Sequence, residues 1–303
     1  MTKDNRILVV GSKGFIGSHL LEFLSGTLEF ECWGCDVIVD YNRRQYFLID
    51  ATNSDFIDVF KTIPFDICIN CSGAANVSAS LENPYRDFVL NTVNVFKILE
   101  AIRKESPKCK FLNISSAAVY GNPQAIPVTE NHPLQPLSPY GLHKMQAEEI
   151  CGEFNRYSGL QTCSARVFSA YGIGLQKQLF WDVYQKAGKG NKITLFGTGN
   201  ETRDFIFIDD LVQALFLIAK DAPFMGEAIN VANGERTEIK YAVETILSKM
   251  NWTGEIVYDG KERKGDPLYW EADISILQSY KYKQKFSLES GLEKYVKWLN
   301  EPK

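Results

Sequence analysis

The chain has 303 residues, enough for a large core and about two domains, with 45% hydrophobic and 23% charged residues and a formal net charge of −4. That mild acidity offers no electrostatic footprint for nucleic acid or for an anionic membrane surface. The polar start MTKDNR leads straight into a strand-like run, and no apolar run approaches the ~18 residues of a spanning helix, so the expected location is cytoplasmic.

The first predicted element is a strand over 6–10. It runs into Gly11-Ser-Lys-Gly14-Phe15-Ile16-Gly17 and then into a helix over about 15–25. Glycine makes up about 7% of ordinary chains, so this spacing alone is common by chance. Its place between an N-terminal strand and a helix is what points to a dinucleotide pyrophosphate. Gly11 gives the tight turn, Gly14 opens the backbone N–H groups of Phe15 and Ile16 to phosphate, and Gly17 lets the helix pack closely on the strand.

Further strands are predicted at about 30–36, 46–49, 66–70, 110–115 and 161–168, and further helices at 54–62, 84–105 and 140–158. This alternation predicts a Rossmann-type, doubly wound parallel sheet with helices on both faces. Asp36 closes the second strand, 19 residues after Gly17, where a carboxylate accepts both ribose hydroxyls and repels a 2′-phosphate. It favours NAD over NADP, and Arg43 and Arg44 are a solvated loop or a softening of that preference. Asp50 and Ala51 follow the third strand, at an adenine edge or a plain turn. Cys71-Ser72-Gly73 follows the fourth strand, where its backbone can line the dinucleotide. Asn91, on the long predicted helix, reads as a buried polar bracket. The seven cysteines imply free thiols, and the pairs Cys32/Cys35 and Cys68/Cys71 lie on strands, where residues three apart face opposite sides. That argues against a four-thiolate metal site.

The fifth strand ends in Ser116-Ala117-Ala118, facing the ligand crevice. Beyond it, Tyr140 and Lys144 begin a predicted helix and share one of its faces. A phenol must drop about three units from its usual value near 10 to act as a base near neutrality, which takes roughly 4 kcal/mol. One positive charge about 6 Å away, at an effective dielectric of about 20, supplies roughly 2.8 kcal/mol. Lys144 with a nicotinium charge suffices, and Ser116 can hydrogen-bond the reacting oxygen.

GSKGFIG at 11–17, SSAAVYG at 115–121, YGLHK at 140–144 and RVFSAYG at 166–172 carry a resemblance to the extended short-chain dehydrogenase/reductases. With GTGNETRDFIFIDD at 197–210, NVANG at 230–234 and RKGDP at 263–267, the chain resembles in particular the NAD-dependent sugar-nucleotide epimerase/dehydratase family. The resemblance implies an NAD-binding domain over 1–168 and a smaller sugar-nucleotide domain over 169–303, with 209–232 returning to the sheet. It implies that Arg203 and Arg263 hold the nucleotide diphosphate and that Asp266 lies beside it or braces Arg263. Lys177, Gln178 and Trp181 fall near the same region. Ser169 stands where the family usually has Asn near the diphosphate, and Asn70 where His is common, so the base and sugar stay open. The resemblance also implies a homodimer through the helices 84–105 and 140–158; Val95, Ile98, Leu99 and Ile102 provide an apolar stripe on the first, part of which packing on the sheet within one subunit must account for.

Dehydratases of this family carry Asp-Glu where this chain has Ala117-Ala118. Dehydration lacks its acid and base, and epimerisation at C4 of a nucleoside-diphosphate sugar, with Tyr140 as base and acid, is the expected reaction. A 4-ketoreductase or dehydrogenase with net redox is the alternative, and a dinucleotide sensor without catalysis the more distant one.

Overall fold

In a computed structural model, residues 5–27, 29–261, 265 and 267–301 are described. Six strands form in the first 167 residues: β1 (Asn5–Val10), β2 (Phe30–Asp36), β3 (Tyr46–Leu48), β4 (Ile67–Asn70), β5 (Lys110–Ser116) and β6 (Thr162–Val167). A seventh, Met225–Val231, returns from the far half of the chain and pairs in parallel with β6. The sheet order is seventh–β6–β5–β4–β1–β2–β3, parallel throughout.

The apolar run of β1 explains its central place. Ile7 and Val9 enter one core while Leu8 and Val10 enter the other, the alternation of a strand covered on both faces. Cys32 and Cys35 divide between the same two cores, so their thiols face opposite sides of the sheet. Strand order reverses between β1 and β4, and their ends align with Val10 opposite Asn70. A ligand crevice belongs at that switch point, outside the carboxyl ends of the strands.

The helix Phe15–Gly26 follows β1 and packs on the helix Ile208–Asp221. The long helix expected over 84–105 is divided. Pro84–Phe88 is α-helical, Val89–Val93 is a π-turn, and Asn94–Glu105 is α-helical again. A further short helix, Val77–Glu82, precedes them. Asn76 and Asn83 cap these two short helices by accepting from the N–H groups of Ala79 and Arg86.

The stripe Val95, Ile98, Leu99 and Ile102 lies within the subunit. These side chains are at most 1% exposed and pack with Phe111, Ala147 and Phe154 between the sheet and the helix Pro139–Ser158. A 3.6-residue apolar period cannot by itself distinguish an intramolecular face from an intermolecular one, and here the sheet takes it. Phe96 and Tyr157, not this stripe, are the exposed aromatics on the two helices.

After β6 come short strand pairs: Ser169–Tyr171 with Phe205–Phe207, Lys192–Leu195 with Glu255–Tyr258, and Thr202–Arg203 with Thr237–Glu238. The helices Gln178–Ala187, Ile239–Lys249 and Leu288–Leu299 surround them. Their core is continuous with the Ile7/Val9 face of the sheet, joining Val183, Ile246 and Tyr295 to Leu112 and Ala165. No helix among the described residues is long and apolar enough to cross a membrane.

Candidate active site

The glycine turn closes on two neighbouring strand ends. Gly11 adopts φ +77° and donates its N–H to the Cys35 carbonyl at 2.8 Å. A Cβ on Gly11 would sit 2.6 Å from the Ser72 nitrogen, and one on Gly17 only 2.1 Å from the Gly11 carbonyl oxygen. Neither position has room for a side chain, so the turn exists only as glycine. Gly14 is the N-cap of the following helix and offers no side-chain cap, and the first turn contains no acidic residue. The first-turn N–H groups of Phe15 and Ile16 therefore form a cradle suited to an anion.

Asp36 stands beside this cradle, half-buried at the end of β2. Its carboxylate accepts from the N–H groups of Lys13 (2.8 Å), Val37 (2.7 Å) and Ile38 (3.2 Å). A carboxylate has about four acceptor directions, so one remains for a ribose hydroxyl. Lys13 pairs through its ammonium with Asp40 at 2.7 Å. Lys13, Asp40, Arg43 and Arg44 line a surface cavity of about 530 Å³. Asp50 is exposed beyond β3, its carboxylate engaged by the Thr52 N–H and hydroxyl at 2.7 Å each, with exposed Ala51 beside it.

The loop after β4 forms the other wall. Cys71 donates its N–H to Val10, and Asn70 accepts from both the N–H and the hydroxyl of Ser72 while donating to Asn113. Asn70 is fully buried, so it shapes this loop from beneath. Asn91 sits in the π-turn and accepts from the Ala74 N–H at 3.2 Å, a buried polar bracket between helix and loop. Gly73, at φ +120°, leaves space in which a Cβ would lie 2.4 Å from the Asn91 oxygen and 3.5 Å from the Lys144 nitrogen. The loop after β4 and Lys144 thus meet at one point.

Tyr140 and Lys144 lie one turn apart on the helix Pro139–Ser158, and Ser116 ends β5. Ser138 caps the helix Pro139–Ser158 by accepting from Gly141 at 3.2 Å, and the Tyr140 N–H donates to the Ser80 hydroxyl at 3.1 Å. Gly141 lets this helix start close against β5, where a Cβ would lie 2.5 Å from the Ala118 carbonyl oxygen. The Ser116 hydroxyl accepts from the Ala118 N–H at 3.2 Å and is a favourable polar neighbour of the Tyr140 phenol, and Lys144 donates to the Ile114 carbonyl at 2.8 Å. Both charge-bearing groups are buried, at 9% and 5% exposure.

Burial changes the electrostatic starting point. It pushes the Tyr140 phenol up to about 12, partly offset by the Ser116 hydroxyl and reinforced by the Asp87 carboxylate. It pushes Lys144 down to about 8, against the opposing pull of Asp87. Bringing Tyr140 to neutrality therefore takes about five units, roughly 7 kcal/mol, rather than the three expected from an unperturbed phenol.

Several supporting groups escaped the sequence reading. Asp87 and His143 form a buried pair at 2.6 Å. Glu148, four residues beyond Lys144 on the same helix face, forms a buried bidentate pair with Arg166 on β6 and also accepts from Ser115. Arg166 continues to the Tyr120 hydroxyl at 2.8 Å, and Tyr120 donates to Asn230 on the seventh strand at 2.7 Å. The i+4 spacing of Lys144 and Glu148 was available as a signal, whereas their partners lie on distant segments.

In the second half, Ser169 starts its short strand with its N–H on the Asp204 carbonyl. Arg203 is half-buried, bonds the Thr202 carbonyl at 2.8 Å and lies over the Trp270 ring at 5.5 Å. Its neighbour Asp204 is fully buried and accepts from the N–H groups of Asn233, Gly234 and Ala272 at 3.0–3.1 Å. Burial still pushes its carboxyl up to about 7. Lys177 and Gln178 open the helix Gln178–Ala187 as exposed residues, and Trp181 packs half-buried on Tyr184. Arg263 and Asp266 lie outside the described residues.

Comparison with known proteins gives the family and the fold. The family described as the NAD dependent epimerase/dehydratase family matches residues 7–232. A Methanocaldococcus jannaschii protein, provisionally assigned as a UDP-glucose 4-epimerase, is 30% identical over 97% of this chain and 98% of its own. The UDP-glucuronic acid 4-epimerase of Bacillus cereus, solved with UDP-glucuronic acid and NAD, superposes with a TM-score of 0.88 at 25% identity, covering 97% of this chain and 98% of that one. The UDP-N-acetylglucosamine 4-epimerase of Methanobrevibacter ruminantium gives a TM-score of 0.86 at 26% identity, covering 98% and 99%.

Proposed function

The chain belongs to the NAD-dependent epimerase/dehydratase family, and from that premise we propose that it epimerises a nucleoside-diphosphate sugar at C4, with Tyr140 as the acid and base. The supporting observation is that Tyr140 and Lys144 are buried one turn apart on one helix, Lys144 lies against the Gly73 wall, and Ser116 ends β5 with Ala117 and Ala118 directly after it. A dehydratase needs an additional acid and base at those two positions, and methyl groups supply neither.

The residues present fit NAD. Gly11 and Gly17 make a turn too tight for any Cβ, the uncapped helix start at Phe15 and Ile16 suits a pyrophosphate, and the remaining acceptor direction of Asp36 suits a ribose hydroxyl. Asp50 and Ala51 would border the adenine. Cys71, Ser72, Gly73 and Asn91 would line the remaining length, and Lys144 would bond the second ribose. Bound NAD supplies a reversible hydride acceptor.

Tyr140 takes the proton of the C4 hydroxyl onto its phenol oxygen and returns it when the configuration is reset. Ser116 donates to the same sugar oxygen and holds it within reach of Tyr140. The value near 12 is that of the folded chain with Lys144 already in place. A bound oxidised cofactor would add one positive charge; a unit charge about 6 Å away at an effective dielectric of about 20 amounts to roughly 2.8 kcal/mol, which would lower the phenol by about two units, to about 10. Tyr140 therefore stays protonated until the site is loaded. Arg203, and Arg263 with Asp266 beside it, would hold the diphosphate, since guanidinium matches phosphate geometry. Ser169 would lie near it. The proposed unit of action is a cytoplasmic homodimer, testable by sedimentation at micromolar concentration.

The test is to release and identify any nucleotide carried by the purified protein, then supply UDP-, GDP-, CDP- and dTDP-sugars without added cofactor. Stereoisomer formation with no net NADH supports epimerisation. Turnover only with added NAD(P)H or NAD(P), with net redox, replaces it with a ketoreductase or dehydrogenase.

A further inference from the structure

The helix that carries Tyr140 and Lys144 buries one more titratable side chain between them, and the mechanism above leaves it unused. His143 is 8% exposed, and its Nδ1 lies 2.6 Å from Asp87 Oδ1, itself 4% exposed on the adjoining helix Pro84–Phe88. The partner is a carboxylate, so Nδ1 carries the proton and donates. The pair is held from three sides. The Thr92 hydroxyl donates to the His143 carbonyl at 2.9 Å, the Phe88 ring meets the imidazole edge-on at 5.4 Å, and Ser80 fixes the Tyr140 N–H one turn earlier. Burying a carboxylate is costly unless it is engaged, and one imidazole N–H engages only part of it.

We propose that Asp87, oriented by His143, is the buried counter-charge of the Tyr140–Lys144 pair and a positioning residue that sets the pH window of the reaction. This rests on the epimerase reading for the reaction it tunes, while the charge coupling stands on the fold alone. The other charges around the pair leave this role to Asp87. On the lysine's own helix, Glu148 faces Lys144 but is bound to Arg166 and Ser115, and Cys151 is a buried thiol. Cys71 faces Lys144 from the loop after β4, and burial pushes its thiol up to about 12. Glu82 on Val77–Glu82 and Arg86 beside Asp87 are exposed, and Glu100 on Asn94–Glu105 turns to Arg103 and Lys104. Lys110 of β5 lies over the Phe224 ring, and Glu227 of the seventh strand binds the N–H groups of Phe224 and Met225. Asp87 is the largest charge contribution at both Lys144 and Tyr140. It favours the charged lysine and disfavours the phenolate, so its removal moves both groups the same way.

The experiment compares the full-length protein with Asp87→Asn, Asp87→Ser and Asp87→Glu. Selective ¹³C-lysine labelling identifies Lys144 as the resonance with a midpoint near 8 that disappears in Lys144→Arg. A unit charge about 10 Å away at an effective dielectric of about 20 amounts to roughly one pH unit. In Asp87→Asn the Lys144 midpoint falls by about that much, and both limbs of the kcat/KM profile move acidward with it; Asp87→Glu restores both. The proposal is overturned if the midpoint or a measurable profile stays in place in a folded neutral variant. It also falls if neither Asn nor Ser folds, since the carboxylate is then structural. The lysine titration needs no substrate, so a wild type that converts no sugar nucleotide defeats the epimerase reading without deciding this one.

Discussion

The two ends of the crevice are built from different material. At the dinucleotide end, Gly11 and Gly17 shape the site by having no side chain, with Cβ positions 2.1–2.6 Å from neighbouring backbone atoms. At the other end, in the second half of the chain, side chains are held by backbone: Arg203 rests on the Thr202 carbonyl and the Trp270 ring, and Asp204 gathers three N–H groups from two other loops. A backbone-built site tolerates no addition, whereas a side-chain-built site tolerates no deletion. The helix Pro139–Ser158 joins the two, with Lys144 near the Gly73 wall and Glu148 anchored to β6.

Substitutions can break that contrast. The largest expected effect is on Gly17→Ala, whose new Cβ meets the Gly11 carbonyl oxygen; the protein is expected to lose retained NAD entirely, measured by nucleotide release, and several kcal/mol of stability. Glu148→Ala leaves Arg166 buried without its partner and should cost about 3–5 kcal/mol in a denaturant titration. Asp204→Ala leaves three N–H groups, one buried and two half-buried, without their partner and should cost about 3 kcal/mol. That cost has a pH signature. The folded carboxyl of Asp204 lies near 7, above its unfolded value of 3.8, so its stabilising contribution is full below about 4 and lost as pH rises through 7. The difference between wild type and Asp204→Ala should therefore narrow from pH 5 to pH 8. The smallest effect belongs to Gly14→Ala, whose Cβ sits 3.2 Å from the Gly11 oxygen; a modest weakening of NAD retention with an unchanged denaturation midpoint would separate a close approach from a blocked one.

The same contrast governs what could be read from the sequence. Gly11, Gly14 and Gly17, and Tyr140 with Lys144, are local patterns whose geometry follows from strand, turn and helix periodicity alone. Asp87 with His143, Glu148 with Arg166, and Asp204 with Ala272 are separated by 56, 18 and 68 residues, and apart from the i+4 spacing of Glu148 from Lys144 nothing local marks them or pairs them. The dimer stripe failed for a related reason: Val95, Ile98, Leu99 and Ile102 show an apolar face, but only the sheet and Phe154 reveal what covers it. The π-turn at Val89–Val93 was equally hidden, because its purpose is to turn Asn91 toward Ala74, across the fold.

The activation of Tyr140 is where local reasoning set the wrong starting point. Helix position predicts the lysine one turn from the tyrosine, but burial dominates at both groups in the folded chain, leaving a phenol near 12 and an ammonium near 8. A base that is silent until the site is loaded suits a reaction whose cofactor must not leak its hydride to water.

The central claim is that the chain returns the hydride to the same sugar. Incubating the wild type with the sugar-nucleotide panel, without added cofactor, while following stereoisomers and absorbance at the NADH band, tests it most directly, with Tyr140→Phe as control. The expected result is interconversion of one sugar nucleotide with its C4 epimer, no net NADH, and a loss of about 10²–10⁴-fold in Tyr140→Phe. Stoichiometric NADH, or conversion that survives Tyr140→Phe at the wild-type rate, would contradict it.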